Sequence, residues 1–121
     1  MKALRNPHRL LVTIVVLAAI LAADAISAAS VTHTVKIQRI HPLSDGAVVF
    51  TFETDAPTCV QSGTVDYYYV RVGENSVTQE ALKNMLAVAL AAATTGRAVT
   101  IIFDDSTAYC YVKSLYVRFD L

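Results

Sequence analysis

The sequence predicts a mainly β domain carrying one helix, an α+β fold with its elements in the order β-β-β-α-β-β. Three observations predict it. Apolar and polar residues alternate through five segments beyond residue 30. One segment between the third and fourth of these repeats its apolar residues at three and four, the spacing of a helix face. Clusters of Gly, Asp, Ser and Pro punctuate the gaps. The roughly 90 residues that follow position 29 suit one small domain, residues 30–121, and exclude two.

Residues 1–29 have the three parts of a secretory signal peptide. Lys2, Arg5 and Arg9 precede an apolar run of 14 residues from Leu10 to Ala23, and small residues follow. As a helix that run would span only about 21 Å at 1.5 Å per residue, short of the ~30 Å hydrocarbon layer, and no basic stop-transfer cluster succeeds it. Cleavage, and no membrane anchoring afterwards, is therefore expected. Ala23-Asp24-Ala25 and Ser27-Ala28-Ala29 both offer small side chains to a signal peptidase, so the mature chain starts at Ile26 or Ser30. The expected location is the bacterial periplasm or the exterior. Beyond Ala29 seven basic residues stand against nine acidic ones, a net charge of −2. With no basic stripe to displace phosphate counterions, nucleic acid is excluded as a partner.

The first strand is expected in Val31 to Ile40, where Val31, Val35 and Ile37 share a face. Ile40 is out of phase with them, which predicts a bulge near Gln38 and Arg39. Pro42 stops the pairing and Ser44-Asp45-Gly46 makes a turn. The second strand is Ala47 to Glu53, with Val48, Phe50 and Phe52 inward and Val49, Thr51 and Glu53 outward, and it forms an antiparallel hairpin with the first. Thr54 to Gly63 is a loop by composition. The third strand is expected over Thr64 to Val72, with Tyr68, Val70 and Val72 on one side and Val65, Tyr67, Tyr69 and Arg71 on the other.

Ser76 and Gln79 have capping-box spacing, so the helix is expected from Val77 to Thr95, with Gly96 as its stop. Met85 to Ala93 contains no polar side chain, and a helix apolar all round is covered on several sides. Two readings stand: alanines tolerated at a surface because they favour helix, or an interface between copies through Met85, Ala89, Ala92 and Ala93. Ala98 to Phe103 is the fourth strand. The fifth is Tyr111 to Leu121, with Leu115, Val117, Phe119 and Leu121 inward and Ser114, Tyr116, Arg118 and Asp120 outward.

The two cysteines, Cys59 and Cys110, both lie in the exported part, where disulfides form, and two thiols allow one intramolecular pairing. A bridge across that separation stabilises by roughly 4 kcal/mol on the chain-entropy model, comparable with the whole stability of a domain this small. A reactive thiol would need a base beside it. A metal pair would need two further ligands, and the exported part offers only His33 and His41, both distant in sequence.

Signals for catalysis are weak. His33 and His41 neighbour no nucleophile-elbow serine. Asp104 and Asp105 are adjacent on a loop with no third acidic ligand near, which reads as a solvated turn. Phosphate loops, zinc spacings and dinucleotide fingerprints do not occur in the sequence. No enzyme, metal or cofactor is expected. The aromatic strand faces carry more information: Tyr67 and Tyr69 with Arg71, and Tyr116 with Arg118, pair flat apolar rings with hydroxyls and charge, which suits a sugar ring or a protein partner. Ordinary cross-strand packing is the alternative.

Three strands, a helix and two strands is the element order of a five-stranded OB-like barrel, with a split α+β sheet packed on one helix as the alternative. The stretch Ala81-Leu82-Lys83-Asn84-Met85-Leu86 through Thr95-Gly96-Arg97-Ala98-Val99-Thr100-Ile101 resembles the binding subunits of pentameric bacterial toxins. It is also similar to short secreted bacterial proteins of largely unknown function. The resemblance covers most of residues 30–121 and implies an OB-type barrel, export, an intrachain disulfide and a ring of helices; no sugar-binding residue is carried over from it. The expected function is a secreted, non-catalytic module that recognises a glycan or a protein, as a homo-oligomeric ring. The alternative is a periplasmic structural, stress-related or enzyme-inhibitor protein.

Overall fold

β1 runs from Ser30 to Pro42 and serves two neighbours in turn. The computed structural model describes residues 30–120; the expected leader and Leu121, the last residue assigned to the fifth strand, lie outside the described residues. Through Ser30 to Lys36, β1 pairs antiparallel with β4 (Ala98–Asp104), and through Ile37 to Pro42 with β2 (Val48–Phe52). The register slips between Ile37 and Arg39, as the phase break at Ile40 predicts, and the added local twist of a bulge suits a strand that changes partners at this point. β3 (Tyr68–Val70) pairs with β2, and β5 (Tyr111–Tyr116) with β4. The sheet is five-stranded and antiparallel, in the order β3-β2-β1-β4-β5.

One helix, α1 (Gln79–Thr94), joins β3 to β4. Leu82, Met85, Ala89 and Ala92 turn into the core, where Tyr68, Phe50, Phe103 and Ile101 are the largest fully buried side chains. Tyr68 is edge-on both to Phe52, at 4.8 Å between ring centroids, and to Phe103, at 5.3 Å. Its hydroxyl accepts the Ala56 N–H at 2.7 Å, which satisfies the one polar atom the ring carries inward. Gly96, at φ +67, ends the helix: its N–H reaches the Ala93 carbonyl and the Arg97 N–H reaches Ala92, the Schellman arrangement.

Five expectations are corrected. The helix starts two residues later than Val77, because Thr78 is the cap, accepting the Ala81 N–H at 3.1 Å, while Ser76 lies in a short 3-10 turn (Glu74–Ser76). β3 is three residues long. Gln61 occupies both backbone groups of Tyr67, and Asp55 takes the Asp66 N–H, so a loop's side chains hold the segment that a neighbouring strand would need. At its other end a turn begins at Arg71, leaving Val72 exposed instead of inward. Val49 and Thr51, expected to face outward, are buried; the register sets His41 and Tyr69 beside Val49 and Arg39 beside Thr51, side chains long enough to cover that face. β5 stops at Tyr116, and Phe119 is 77% exposed instead of inward, its ring 5.2 Å from the Arg97 guanidinium.

Candidate functional site

β3 is short, but its parity does the positioning. Tyr68 and Val70 enter the core, so Tyr69 between them faces the opposite way, and Tyr67 and Arg71 follow the same phase at either end. The second half of the site comes from residues next to β5. Cys59 and Cys110 form the disulfide, with their Cα atoms 5.9 Å apart. Cys110 is fully buried, so Tyr109 and Tyr111 flank an inward anchor. The Tyr69 N–H donates to the Tyr109 carbonyl at 3.3 Å, which brings the two ends of the sheet order into contact.

Three tyrosine rings meet there. Tyr109 and Tyr111 are stacked, 5.3 Å between centroids and 23° from parallel, and Tyr69 stands edge-on to Tyr109 at 5.4 Å. Both geometries suit the ring quadrupole, with a positive edge meeting a negative face or rings offset in a stack. Arg71 lies 6.0 Å from the Tyr69 centroid, donates to the Tyr111 hydroxyl at 3.4 Å and pairs with Asp45 at 3.0 Å. Asp45 belongs to the turn between β1 and β2, so three separate segments converge. Tyr109 is 49% exposed and Tyr67 is 40% exposed, whereas Tyr111 is buried. Burial raises the Tyr111 phenol above its ordinary value, with nearby Arg71 pulling it down, so it stays a neutral donor at pH 7. The surface therefore presents flat aromatic area, phenolic hydroxyls and a carboxylate–guanidinium pair within one patch.

Tyr116 and Arg118 do not join it. Five residues of extended strand separate Tyr116 from Tyr111, about 17 Å, and Arg118 is engaged by Asp120 at 2.8 Å. The five ligand-contact candidates thus fall into two groups at opposite ends of β5. Three of the four candidate interface residues, Met85, Ala89 and Ala92, are buried against this chain's own sheet; only Ala93 is exposed, alongside Val88 and Leu90. A second copy meeting the helix on the Ala93 side would touch Leu90 and Ala93, whereas Val88 lies about 160° from Leu90 around the helix.

His33 donates from Nε2 to the Thr54 carbonyl at 2.8 Å and stands edge-on to Phe52, while His41 is exposed at the end of β1. Asp104, expected in a solvated turn, instead ends β4 and is buried; it accepts the Ser106 N–H at 2.8 Å, and the Ser106 hydrogen bonds hold its carboxyl below the usual range. No cluster of three or more metal-ligating side chains occurs among the described residues, and no helix of these residues is long and apolar enough to cross a membrane.

Sequence reasoning missed Tyr109, Tyr111 and Asp45. The signal for the first two was present in Tyr109-Cys110-Tyr111: a bridged, inward cysteine turns its neighbours away from the core. Asp45 was read only as a turn former, and its second oxygen is free for Arg71 because Oδ1 accepts the Ala47 N–H. No family model matches the chain, and no curated protein matches it.

Proposed function

We propose that this chain is an exported, non-catalytic recognition module that binds a glycan or a protein partner through the patch formed by Tyr67, Tyr69, Tyr109, Arg71 and Asp45. The observation that carries this reading is the exposure of Tyr109, packed on Tyr69 and Tyr111, which in turn contact the Arg71–Asp45 ion pair; Tyr67 is exposed two residues before Tyr69. Solvent-exposed aromatic rings are available to stack on the apolar face of a sugar or to anchor a partner's side chain. The adjacent carboxylate and guanidinium supply one acceptor and several donors for hydroxyls or backbone groups.

The scaffold in this reading is an OB-type barrel. Support comes from the order β3-β2-β1-β4-β5, the helix between β3 and β4, and the backbone hydrogen bond from Tyr69 to Tyr109 across the two edges. Export is supported by the leader-like residues 1–29 and by the disulfide, which persists in oxidising compartments. Assembly into a ring belongs to the same proposal, with the exposed helix surface around Leu90 and Ala93 as the contact.

Glycan-array binding tests the recognition site. Binding to a defined sugar that falls at least about ten-fold in Tyr109→Ala, with thermal stability retained, supports it. A single protein captured stoichiometrically, lost in the same variant and without sugar binding, supports the protein branch. Sugar or protein binding untouched by Tyr109→Ala and Tyr67→Ala overturns the assignment of the patch.

A further inference from the structure

We infer that the opposite end of β5 is a binding site for a single-chain amphiphile with an anionic head, independent of the tyrosine patch. The chain beyond Tyr116 leaves the sheet and, with the second half of α1, lines an open groove of about 390 Å³. Its walls are Val88 and Ala91 from the helix and Leu115, Val117 and Phe119 from β5 and the segment after it. The volume lies within the range of small-molecule sites. Val88, Tyr116 and Phe119 are all exposed there, so the apolar surface is open to an occupant.

Arg97 lines this groove and also a second, smaller hollow of about 140 Å³, which it shares with Thr34, Thr100 and Arg118. The hollow is the more polar of the two, with two hydroxyls and two guanidinium groups among its lining residues. The Thr34 and Thr100 hydroxyls are hydrogen-bonded to each other at 2.8 Å, and Thr100 is almost wholly buried. Asp120 neutralises Arg118, whereas Arg97 has no carboxylate within ion-pair distance among the described residues. Its guanidinium is held over the Phe119 ring and donates to the Arg118 carbonyl at 3.5 Å. An apolar channel therefore ends at a cation with no carboxylate partner among the described residues, beside hydroxyl groups. Charge complementarity selects a carboxylate or phosphate monoester as the head, and the groove selects an alkyl chain as the tail.

Calorimetric titration of the purified protein with decanoate, decyl phosphate, decanol and decyltrimethylammonium, each below its micelle concentration, tests this. Decanoate or decyl phosphate should bind, and the two arms distinguish the preferred head. Shortening the chain should weaken binding by up to about four-fold per methylene lost. Arg97→Gln should weaken the anions at least about ten-fold and leave decanol unchanged, Arg97→Lys should restore part of the loss, and Ala91→Phe should block all binding by filling the groove. Arg97 and Ala91 are exposed, and circular dichroism checks that the helix persists in both variants. No binding of either anion, equal binding of decanol and decanoate, or indifference to Arg97→Gln overturns the proposal. So does a wild-type dimer that Ala91→Phe dissociates without any amphiphile binding, which would assign the groove to a second copy.

Discussion

Tyr69 and Tyr109 meet twice: their backbones share a 3.3 Å hydrogen bond and their rings pack edge to face at 5.4 Å. That double contact joins β3 to the segment before β5, the two ends of the sheet order, and the Cys59–Cys110 bridge anchors the same segment from inside. The tyrosine patch is therefore built on the seam that the disulfide holds.

Reduction should expose this dependence. Removing the bridge in a Cys59→Ala/Cys110→Ala double variant is expected to destabilise by about 2–5 kcal/mol, read as a fall in the urea midpoint. The same variant should lose binding at the tyrosine patch before it loses the helix signal. An unchanged midpoint would show that hydrogen bonds and packing hold the seam without the sulfurs.

The helix start offers a sharper discrimination. Thr78→Ala removes the hydroxyl that accepts the Ala81 N–H and should cost about 1 kcal/mol. Ser76→Ala removes no cap and should fall within ~0.5 kcal/mol of wild type. Thermal unfolding of the two variants side by side decides between the cap seen in the structure and the one that capping-box spacing suggests.

Tyr68 predicts a loss of stability at alkaline pH. Burial pushes its phenol up to about 12, with Asp55 and Asp66 adding to the rise, from an ordinary value near 10. The neutral form is thus the one the fold holds. Its contribution is fully present below pH 10 and is lost as pH rises from 10 toward 12, on the order of 2 kcal/mol. Tyrosinate absorbance should show Tyr68 as the last of the six rings to titrate, after Tyr111, whose phenol is also raised, and Tyr68→Phe should remove that last step. Tyr68→Phe should also cost about 1–3 kcal/mol at pH 7, because the buried Ala56 N–H loses its acceptor.

Much of the architecture was legible because local chemistry and tertiary packing agree. The phase break at Ile40 announced the bulge, Gly96 announced the helix stop, and two cysteines in the segment expected to be exported announced the bridge. The helix start was misread locally, since Thr78 caps where Ser76 has the spacing, but the misreadings at the start of β3 and the end of β5 each depend on a side chain from another segment. Gln61 shortens β3 by claiming the Tyr67 backbone, and nothing within Thr64 to Val72 signals that. Phe119 continues the apolar phase of β5 yet leaves the sheet to lie against Arg97. Half of the patch was legible from strand parity at Tyr67, Tyr69 and Arg71. The other half required knowing which strands close on each other, a long-range fact that periodicity does not carry.

The alanine surface of α1 yields the last prediction, because two neighbouring residues should respond in opposite ways. Ala92 is 2% exposed and faces the sheet, so Ala92→Glu overfills the core and buries a carboxylate without a partner, at a cost of at least about 3 kcal/mol. In a domain this small that is expected to unfold a large fraction of the protein, whatever its oligomeric state. Ala93 is exposed, so Ala93→Glu should leave the melting temperature nearly unchanged. If copies assemble through the outer face of the helix, Ala93→Glu and Leu90→Glu should convert a ring to monomers in analytical ultracentrifugation while both remain folded. Wild-type protein that sediments as a monomer at every concentration would remove the ring from the proposal and leave the tyrosine patch untouched.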